Sequence, residues 1–257
     1  MFFQWNKNYT PLPNYSANQT AASSPPSSTS APKRITPVKI QFGLLLFISL
    51  IASAVFADAA DPPQTAISTP DRLIVFSAFD QDHPKARKQP LLEWKAGIGE
   101  WWIADGALHG DEVAEDKHAS SLTHPVNATH LVIHGEFRIG TAKQIAFACR
   151  DDIKPHHHLA RTFISPDAIW ITHMSGIAKT TKSKKIAELK TPVDPDAWHP
   201  ITIEIIGDHY RVQIGDHVLD AKHSRFADGK GIIALVTKGQ GAQFRNVSIW
   251  HAKPQGS

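Results

Sequence analysis

Apolar and polar residues alternate along most of the chain after residue 71, and this feature restricts the available folds more than any other. Successive side chains of a β-strand point to opposite faces of a sheet, so a period of two indicates strands with one buried face. The segment 129–139 is an example, in which Leu131, Ile133 and Phe137 alternate with more polar residues. No long segment shows the period of about 3.6 residues that is typical of an amphipathic helix.

The strand-like segments are short and separated by glycine, proline and aspartate turns, which predicts an all-β fold made of two packed sheets. The middle strands have about 7–11 residues, which favours a curved jelly-roll sandwich over a small barrel. One short helical turn is expected near residues 224–227.

The stretch GEWWIADGALHGD at 99–111 predicts a β-hairpin. Its turn is Asp105-Gly106, because these two residues tolerate the positive φ angles of a tight hairpin turn. Trp101 and Trp102 then point to opposite faces of one strand, so that one enters the core and the other faces a groove or the solvent.

Residues 1–71 differ in composition from the rest of the chain. Residues 1–39 are rich in proline, serine and asparagine and contain no acidic residue, which predicts a disordered polar segment. Residues 40–59 contain an apolar run with small residues near its end and basic residues before it, which predicts a signal peptide and a secreted or periplasmic protein. The alternative is a membrane tether through residues 40–57, although a full span needs about 20 apolar residues.

The remaining chain is divided into a linker at 60–71 and one domain at 72–254, which is long enough to bury a sizeable core. Residues 1–57 contain four of the 27 basic residues and none of the 24 acidic ones, so the rest of the chain has a net charge of −1. This balance gives no indication of nucleic-acid binding. Cys149 is the only cysteine and its strand context predicts a buried side chain, so no disulfide within the chain is expected.

Six short segments follow one another in a specific order: FSAFD at 76–80, WIADGAL at 102–108, LVIHGEFR at 131–138, WHPITIE at 198–204, GIIAL at 231–235 and QFRNVSI at 243–249. In this order the sequence resembles the 3-keto-disaccharide hydrolase domain family, formerly a domain of unknown function, and its planctomycete-type secreted relatives. The resemblance implies a concanavalin A-like jelly roll that acts on or holds a sugar. The family commonly has Asn-Ser-Gly ahead of an arginine on the strand after Glu-Phe-Arg, whereas this chain keeps only the arginine, Arg150.

One face of the segment 129–139 carries the first set of candidate site residues. His134, Glu136 and Arg138 share this face, and Gln144 and Arg150 share one face of the next strand. If the two strands are neighbours, these side chains converge, with Glu136 as general base or hydroxyl acceptor and the arginines as a clamp for negative charge. The alternative is a ladder of charged pairs on an exposed face. Trp102 is expected at the edge of this groove.

A second set lies between Arg150 and Arg161, where an acidic pair and the run His156-His157-His158 follow a strand. Three interpretations are open: a solvated or structural segment, a polar substrate site, and a metal site. Three successive histidines cannot all face one ion, so no metal or other cofactor is predicted. His158 is placed in the groove with Arg150 as a catalytic residue, and Arg161 as a substrate-binding residue. A register slip of one residue would exchange His158 and Arg161.

Several enzyme classes lack their motifs in this chain. The Glu-x-Asp-x-x-Glu string of a laminarinase-like jelly roll does not occur, nor does a Gly-x-Ser-x-Gly elbow, a phosphate loop or a dinucleotide fingerprint. The resemblance to the 3-keto-disaccharide hydrolase domains implies a carbohydrate-active domain that hydrolyses a glycosidic bond of a (3-keto-)glycoside. The alternative is a non-catalytic, lectin-like carbohydrate-binding module of the cell envelope. A third reading is a structural envelope domain without a small ligand.

Overall fold

The computed structural model describes residues 60–177 and 180–256. Apart from two short 3-10 turns, at Ala114–Asp116 and Ser224–Ala227, the regular structure of these residues is β. The strands are β1 (Ser68–Ser77), β2 (His83–Ala86), β3 (Gln89–Leu91), β4 (Trp94–Ile98), β5 (Glu100–Ala104), β6 (Ala107–Asp111), β7 (Ser120–Ala128), β8 (Leu131–Arg138), β9 (Gln144–Asp151), β10 (His158–Ser165), β11 (Ala168–Ser175), β12 (Lys182–Lys190), β13 (His199–Ile206), β14 (His209–Ile214), β15 (His217–Lys222), β16 (Lys230–Lys238) and β17 (Ala242–Pro254).

The strands form two antiparallel sheets. The nine-stranded sheet has the order β15-β14-β13-β8-β17-β6-β5-β2, with β1 also paired to β17. The eight-stranded sheet has the order β12-β11-β10-β9-β16-β7-β4-β3. Pairs of consecutive strands alternate with pairs that are distant in the sequence, such as β8 with β13 and β9 with β16, as in a jelly roll. The predicted all-β, two-sheet jelly-roll sandwich is confirmed.

The core lies between the two sheets and consists of the apolar set of each alternating strand. Phe137 of β8 and Phe244 of β17 enter it from the nine-stranded sheet, and Phe147 of β9 enters it from the eight-stranded sheet. Each of these three side chains is fully buried. The apolar residues of these alternating strands thus face the core, as predicted, and the residues between them point outward.

The predicted hairpin is formed by β5 and β6. Asp105 and Gly106 have φ angles of 53° and 70°, the pair of positive values that a tight hairpin turn requires. Trp101 is fully buried and its indole Nε1 donates to the carbonyl of Ile98 at 3.0 Å. Trp102 follows Trp101 in the strand and points to the opposite, outer face, as expected from the alternation of side chains.

The N-terminal boundary of the domain differs from the prediction, because β1 begins at Ser68, inside the stretch 60–71 assigned to a linker. The buried carboxylate of Glu204 on β13 fastens this part of the chain. It accepts hydrogen bonds from the backbone amides of Ala66 and Ile67, both at 2.9 Å, and from the hydroxyl of Ser68 at 2.6 Å. The chain before β1 is thus attached to the nine-stranded sheet.

Residues 1–59 lie outside the described residues, and with them the predicted disordered segment and the predicted signal peptide or anchor. Within the part of the chain that the structure describes, no helix has the length and apolar character needed to cross a membrane.

Candidate functional site

The candidate site residues are divided between the two sheets, which corrects the prediction that they converge in one groove. β8, which carries His134, Glu136 and Arg138, lies in the nine-stranded sheet between β13 and β17. β9 and β10, which carry Arg150, His158 and Arg161, lie in the eight-stranded sheet. The outward faces of the two sheets point in opposite directions, because the core separates the sheets. β8 and β9 follow each other in the sequence but are therefore not neighbours in a sheet.

On the nine-stranded sheet, Glu136 is held by two hydrogen bonds. Arg245 donates to its Oε2 at 2.6 Å and Asn246 to its Oε1 at 2.9 Å. Burial raises the pKa of Glu136, but these hydrogen bonds and the charge of Arg245 outweigh burial, so that the net shift of the pKa is downward. A carboxylate with both oxygens engaged and a lowered pKa is poorly suited to accept or donate a proton.

The other residues predicted on this sheet also have partners within it. Arg138 donates to the side chain of Gln243 at 2.6 Å, and its guanidinium lies 5.2 Å from the ring centre of Trp198. Trp102 stacks on His109 with ring centres 5.0 Å apart, and the ammonium of Lys85 lies 4.7 Å from its ring centre. Trp102 belongs to β5 of the nine-stranded sheet, so it is not at the edge of the groove that contains Arg150.

His134 hydrogen-bonds the hydroxyl of Thr202 at 3.0 Å. Burial lowers the pKa of His134. The side chain also lines a cavity of about 410 Å³ between the nine-stranded sheet and the chain before β1. Gln144 lies on the same outward face of the eight-stranded sheet as Arg150, but at the opposite end of β9, so it is separate from the arginines.

The eight-stranded sheet carries a larger cavity, of about 980 Å³, which we call the cationic pocket. Its base is formed by β9, β10 and β11, and its walls by the loops before β7 and after β9, by Ile98 at the end of β4, and by Ile177 and Thr181 after β11. The lining residues are Ile98, Asp116, Lys117, His118, Arg150, Lys154, Pro155, His156, His158, Arg161, Met174, Ile177 and Thr181. Three residues predicted from the sequence, Arg150, His158 and Arg161, are brought together here.

A β-bulge explains how His158 and Arg161 share one face. The pairing of β10 with β9 shifts between His158 and Ala160, so that Leu159 and Ala160 both enter the core. A bulge adds one residue to one strand and changes the faces of the residues beyond it. The structure therefore places both His158 and Arg161 in the pocket, although strict alternation would put residues three positions apart on opposite faces.

The pocket holds two arginines that no carboxylate neutralises. The guanidinium of Arg150 makes no hydrogen bond or ion pair with any residue that the structure describes. Arg161 places one terminal nitrogen 3.4 Å from Nδ1 of His158, and its Nε atom is buried without a partner among the described residues. Burial, and then the charge of Arg150, lowers the pKa of Arg161 to about 10.

His158 is neutral at pH 7 in this setting. Burial lowers its pKa to about 4, with further contributions from Arg161, Arg150 and His118. Since Arg161 donates to Nδ1, the proton of the neutral ring is on Nε2, and this nitrogen is a hydrogen-bond donor.

The acidic residues near the pocket have other partners. Asp116 accepts from the backbone amide of Gly99 at 2.8 Å and from Arg87 at 2.9 Å, and the first of these bonds is the main reason why the pKa of Asp116 is lowered. The buried Asp151 accepts from the amide of His157 at 2.7 Å and from Arg225 at 3.2 Å. Among the described residues, no group of three or more His, Cys, Asp or Glu side chains is arranged to hold a metal ion.

Beside the pocket, the outward face of the eight-stranded sheet has a recessed apolar floor and an aromatic pair. Ala146, Ala148, Ala234 and Val236 point away from the core but are nevertheless buried. Phe163 and Trp170 stack with ring centres 5.1 Å apart and planes 14° apart. The guanidinium of Arg161 lies 5.8 Å from the Phe163 ring centre, and the ammonium of Lys185 lies 5.1 Å from the Trp170 ring centre. This pair was not predicted from the sequence, although Phe163 lies two residues after Arg161 on β10 and so shares its face of the sheet.

Comparisons with known proteins support the fold. No family model matches the sequence, and no curated protein matches it, so the resemblance to the 3-keto-disaccharide hydrolase family is not confirmed at the level of the family. Solved structures do match. A carbohydrate-binding module, CBM66 of Bacillus subtilis, has a TM-score of 0.52 and 19% identity and covers 63% of this chain and 99% of its own.

Two further structures show the same architecture. A Bacillus subtilis protein of unknown function with a galectin-like fold has a TM-score of 0.53 and 10% identity, and covers 72% of this chain and 99% of its own. The laminarinase of Rhodothermus marinus has a TM-score of 0.50 and 13% identity, and covers 73% of this chain and 100% of its own. At these identities the likeness concerns the fold, and the chain has the jelly-roll sandwich that these proteins share.

Proposed function

We propose that this protein binds a carbohydrate in the cationic pocket and along the adjoining aromatic pair. The observation that carries the proposal is the combination, on one outward sheet face, of two guanidinium groups that have no carboxylate partner among the described residues with the stacked rings of Phe163 and Trp170. Sugars present apolar ring faces that pack on aromatic side chains and hydroxyl groups that accept hydrogen bonds from fixed donors. The similar structures include a carbohydrate-binding module and a laminarinase, which supports the same class of ligand.

Binding without catalysis is the function that the geometry supports best. Glycoside hydrolysis commonly uses two carboxyl groups about 5–10 Å apart. Asp116 is the only carboxylate among the described residues that line the pocket, and Arg87 and Gly99 already engage it. Glu136, the predicted base, lies on the other sheet. Hydrolysis of a 3-keto-glycoside remains a prediction, and the same experiment tests it.

The experiment measures binding and turnover by the purified full-length protein on one panel of neutral, acidic and 3-keto saccharides. We expect saturable binding without turnover, weakened by Trp170→Ala, which removes one of the stacked rings. The matched control is Trp102→Ala, which removes an indole from the opposite sheet and should leave binding unchanged. Turnover that is lost in Glu136→Gln would instead support the hydrolase. Absence of both binding and turnover across the panel would contradict the proposal.

We also propose that the protein is exported, with residues 40–59 acting as signal peptide or residues 40–57 as membrane tether. Support comes from the apolar run with its basic flank and small residues. The N-terminal residue of the protein isolated from its native host tests this. A start near Asp58 or Ala60 indicates cleavage, recovery of the uncleaved chain with the membrane indicates a tether, and an uncleaved chain in the cytoplasm contradicts export.

A further inference from the structure

We propose that the saccharide bound by this protein is acidic, with a carboxylate or sulfate group that binds between Arg150 and Arg161. This inference rests on the proposed function and adds the chemical class of the ligand. It starts from the charge of the pocket, which a neutral sugar does not require.

The lining of the pocket is strongly basic. Arg150, Arg161, Lys117 and Lys154 contribute four cationic side chains, and His118, His156 and His158 add three imidazoles. Against these stands one carboxylate, Asp116, whose two oxygens are bound by Arg87 and the amide of Gly99. Residues 58–257 as a whole have a net charge of −1 with histidine neutral, so the basic charge is a property of this pocket and not of the whole domain.

The two arginines are the groups that need an anion most. A partly buried cation loses part of its favourable hydration free energy. In proteins it is normally paired with a carboxylate, whose attraction offsets this cost. Neither guanidinium has such a partner among the described residues, and Arg161 also has a buried Nε atom without an acceptor. Their mutual repulsion contributes to the lowered pKa of Arg161. An anion between the two arginines would supply the missing hydrogen-bond acceptor and would also offset their mutual repulsion.

The shape of the donors fits a planar or tetrahedral oxyanion. Each guanidinium presents a flat fork of N–H groups that can donate two parallel hydrogen bonds to a carboxylate or a sulfate. The Nε2 proton of neutral His158 supplies one further donor beside them. The stacked Phe163 and Trp170 lie next to this cluster, because the guanidinium of Arg161 contacts the Phe163 ring. A sugar ring can therefore pack against the aromatic pair while its acidic group faces the arginines.

Matched ligand pairs test this inference by titration calorimetry on the full-length protein. The probes are an oligogalacturonate, its methyl ester, a sulfated disaccharide, the unsulfated disaccharide, and inorganic sulfate alone. We expect at least one acidic saccharide to bind about tenfold or more tightly than its uncharged counterpart, the difference that one charge-assisted contact supplies. The carboxylate and sulfate pairs distinguish the two sources of the anionic group.

The variants Arg150→Gln and Arg161→Gln should reduce the preference for the acidic member of the pair. Arg138→Gln is the matched control, because Arg138 is bound to Gln243 on the other sheet and its loss should leave the preference unchanged. Thermal unfolding of each variant confirms that it folds. If Arg161→Gln fails to fold, Arg150→Gln alone decides the result.

The outcomes separate this inference from the proposed function. Equal affinity for charged and uncharged saccharides would overturn the inference and leave carbohydrate binding in place. Inorganic sulfate that binds as tightly as the sulfated disaccharide would overturn it too, because the site would then recognise a free anion. No binding by any saccharide would contradict both.

Discussion

His158 combines a buried position with a cationic neighbourhood, and this sets its effect on stability. The residue is 8% exposed, and burial together with Arg161, Arg150 and His118 lowers its pKa to about 4 from an ordinary value of 6.5. Above pH 6.5 the ring is neutral in both the folded and the unfolded chain. As the pH falls towards 4, the unfolded chain takes up a proton that the folded chain refuses, so the stability decreases in this window.

We therefore predict that His158→Gln makes the protein less sensitive to acid. Between pH 7 and pH 4.5, the free energy of unfolding of the natural protein should decrease by about 2 kcal/mol more than that of the variant. Denaturant titrations of both proteins at the two pH values measure the difference. The other histidines with lowered pKa values contribute equally to both proteins, so equal acid sensitivity would contradict the placement of His158.

At the scale of single elements, Glu204 attaches the chain before β1 to the nine-stranded sheet. It is 3% exposed and accepts three hydrogen bonds from residues 66–68, while Arg211 Nε lies 4.0 Å away. Both carboxylate oxygens of Glu204 accept hydrogen bonds. In glutamine one of these oxygens is replaced by an NH2 group, which can only donate, so at least one of the three donors would face another donor.

Glu204→Gln should lower the free energy of unfolding by about 1–3 kcal/mol. It should also increase the amide hydrogen exchange of residues 66 and 67. Glu100→Gln is the matched control, because Glu100 is paired with Lys85 in a solvent-exposed ion pair and its loss should change stability by less than about 1 kcal/mol. If the two variants lose the same stability, Glu204 does not hold this segment.

The elements that the sequence predicted well are those set by local chemistry. The β5–β6 hairpin follows from Asp105-Gly106, and the helical turn expected near residues 224–227 is the 3-10 turn Ser224–Ala227. The two short strands β2 and β3 escaped prediction because each has only three or four residues and contains a proline. Both lie at the ends of their sheets, where proline is tolerated because one side of the strand needs no hydrogen bonds.

At the scale of the whole molecule, the site could be predicted only in part. The alternation showed that Glu136 and Arg150 point outward, and both do. It could not show that β8 and β9 belong to different sheets, because the pairing of each strand is decided by β13, β16 and β17, which lie far along the chain. Arg150, His158 and Arg161 were recognised because β9 and β10 are adjacent both in sequence and in the sheet.

The pairing of β1 with β17 brings the two ends of the domain to one place. Ser68 lies opposite Pro254, and the amide of Gln255 donates to the carbonyl of Ile67 at 3.1 Å. Opposed residues in an antiparallel pair are about 5 Å apart, so the chain enters and leaves the sandwich almost at the same point. The domain could thus be inserted into a surface loop of another protein without separating the ends of that loop, and its own ends could be joined by a short link and new ones opened elsewhere.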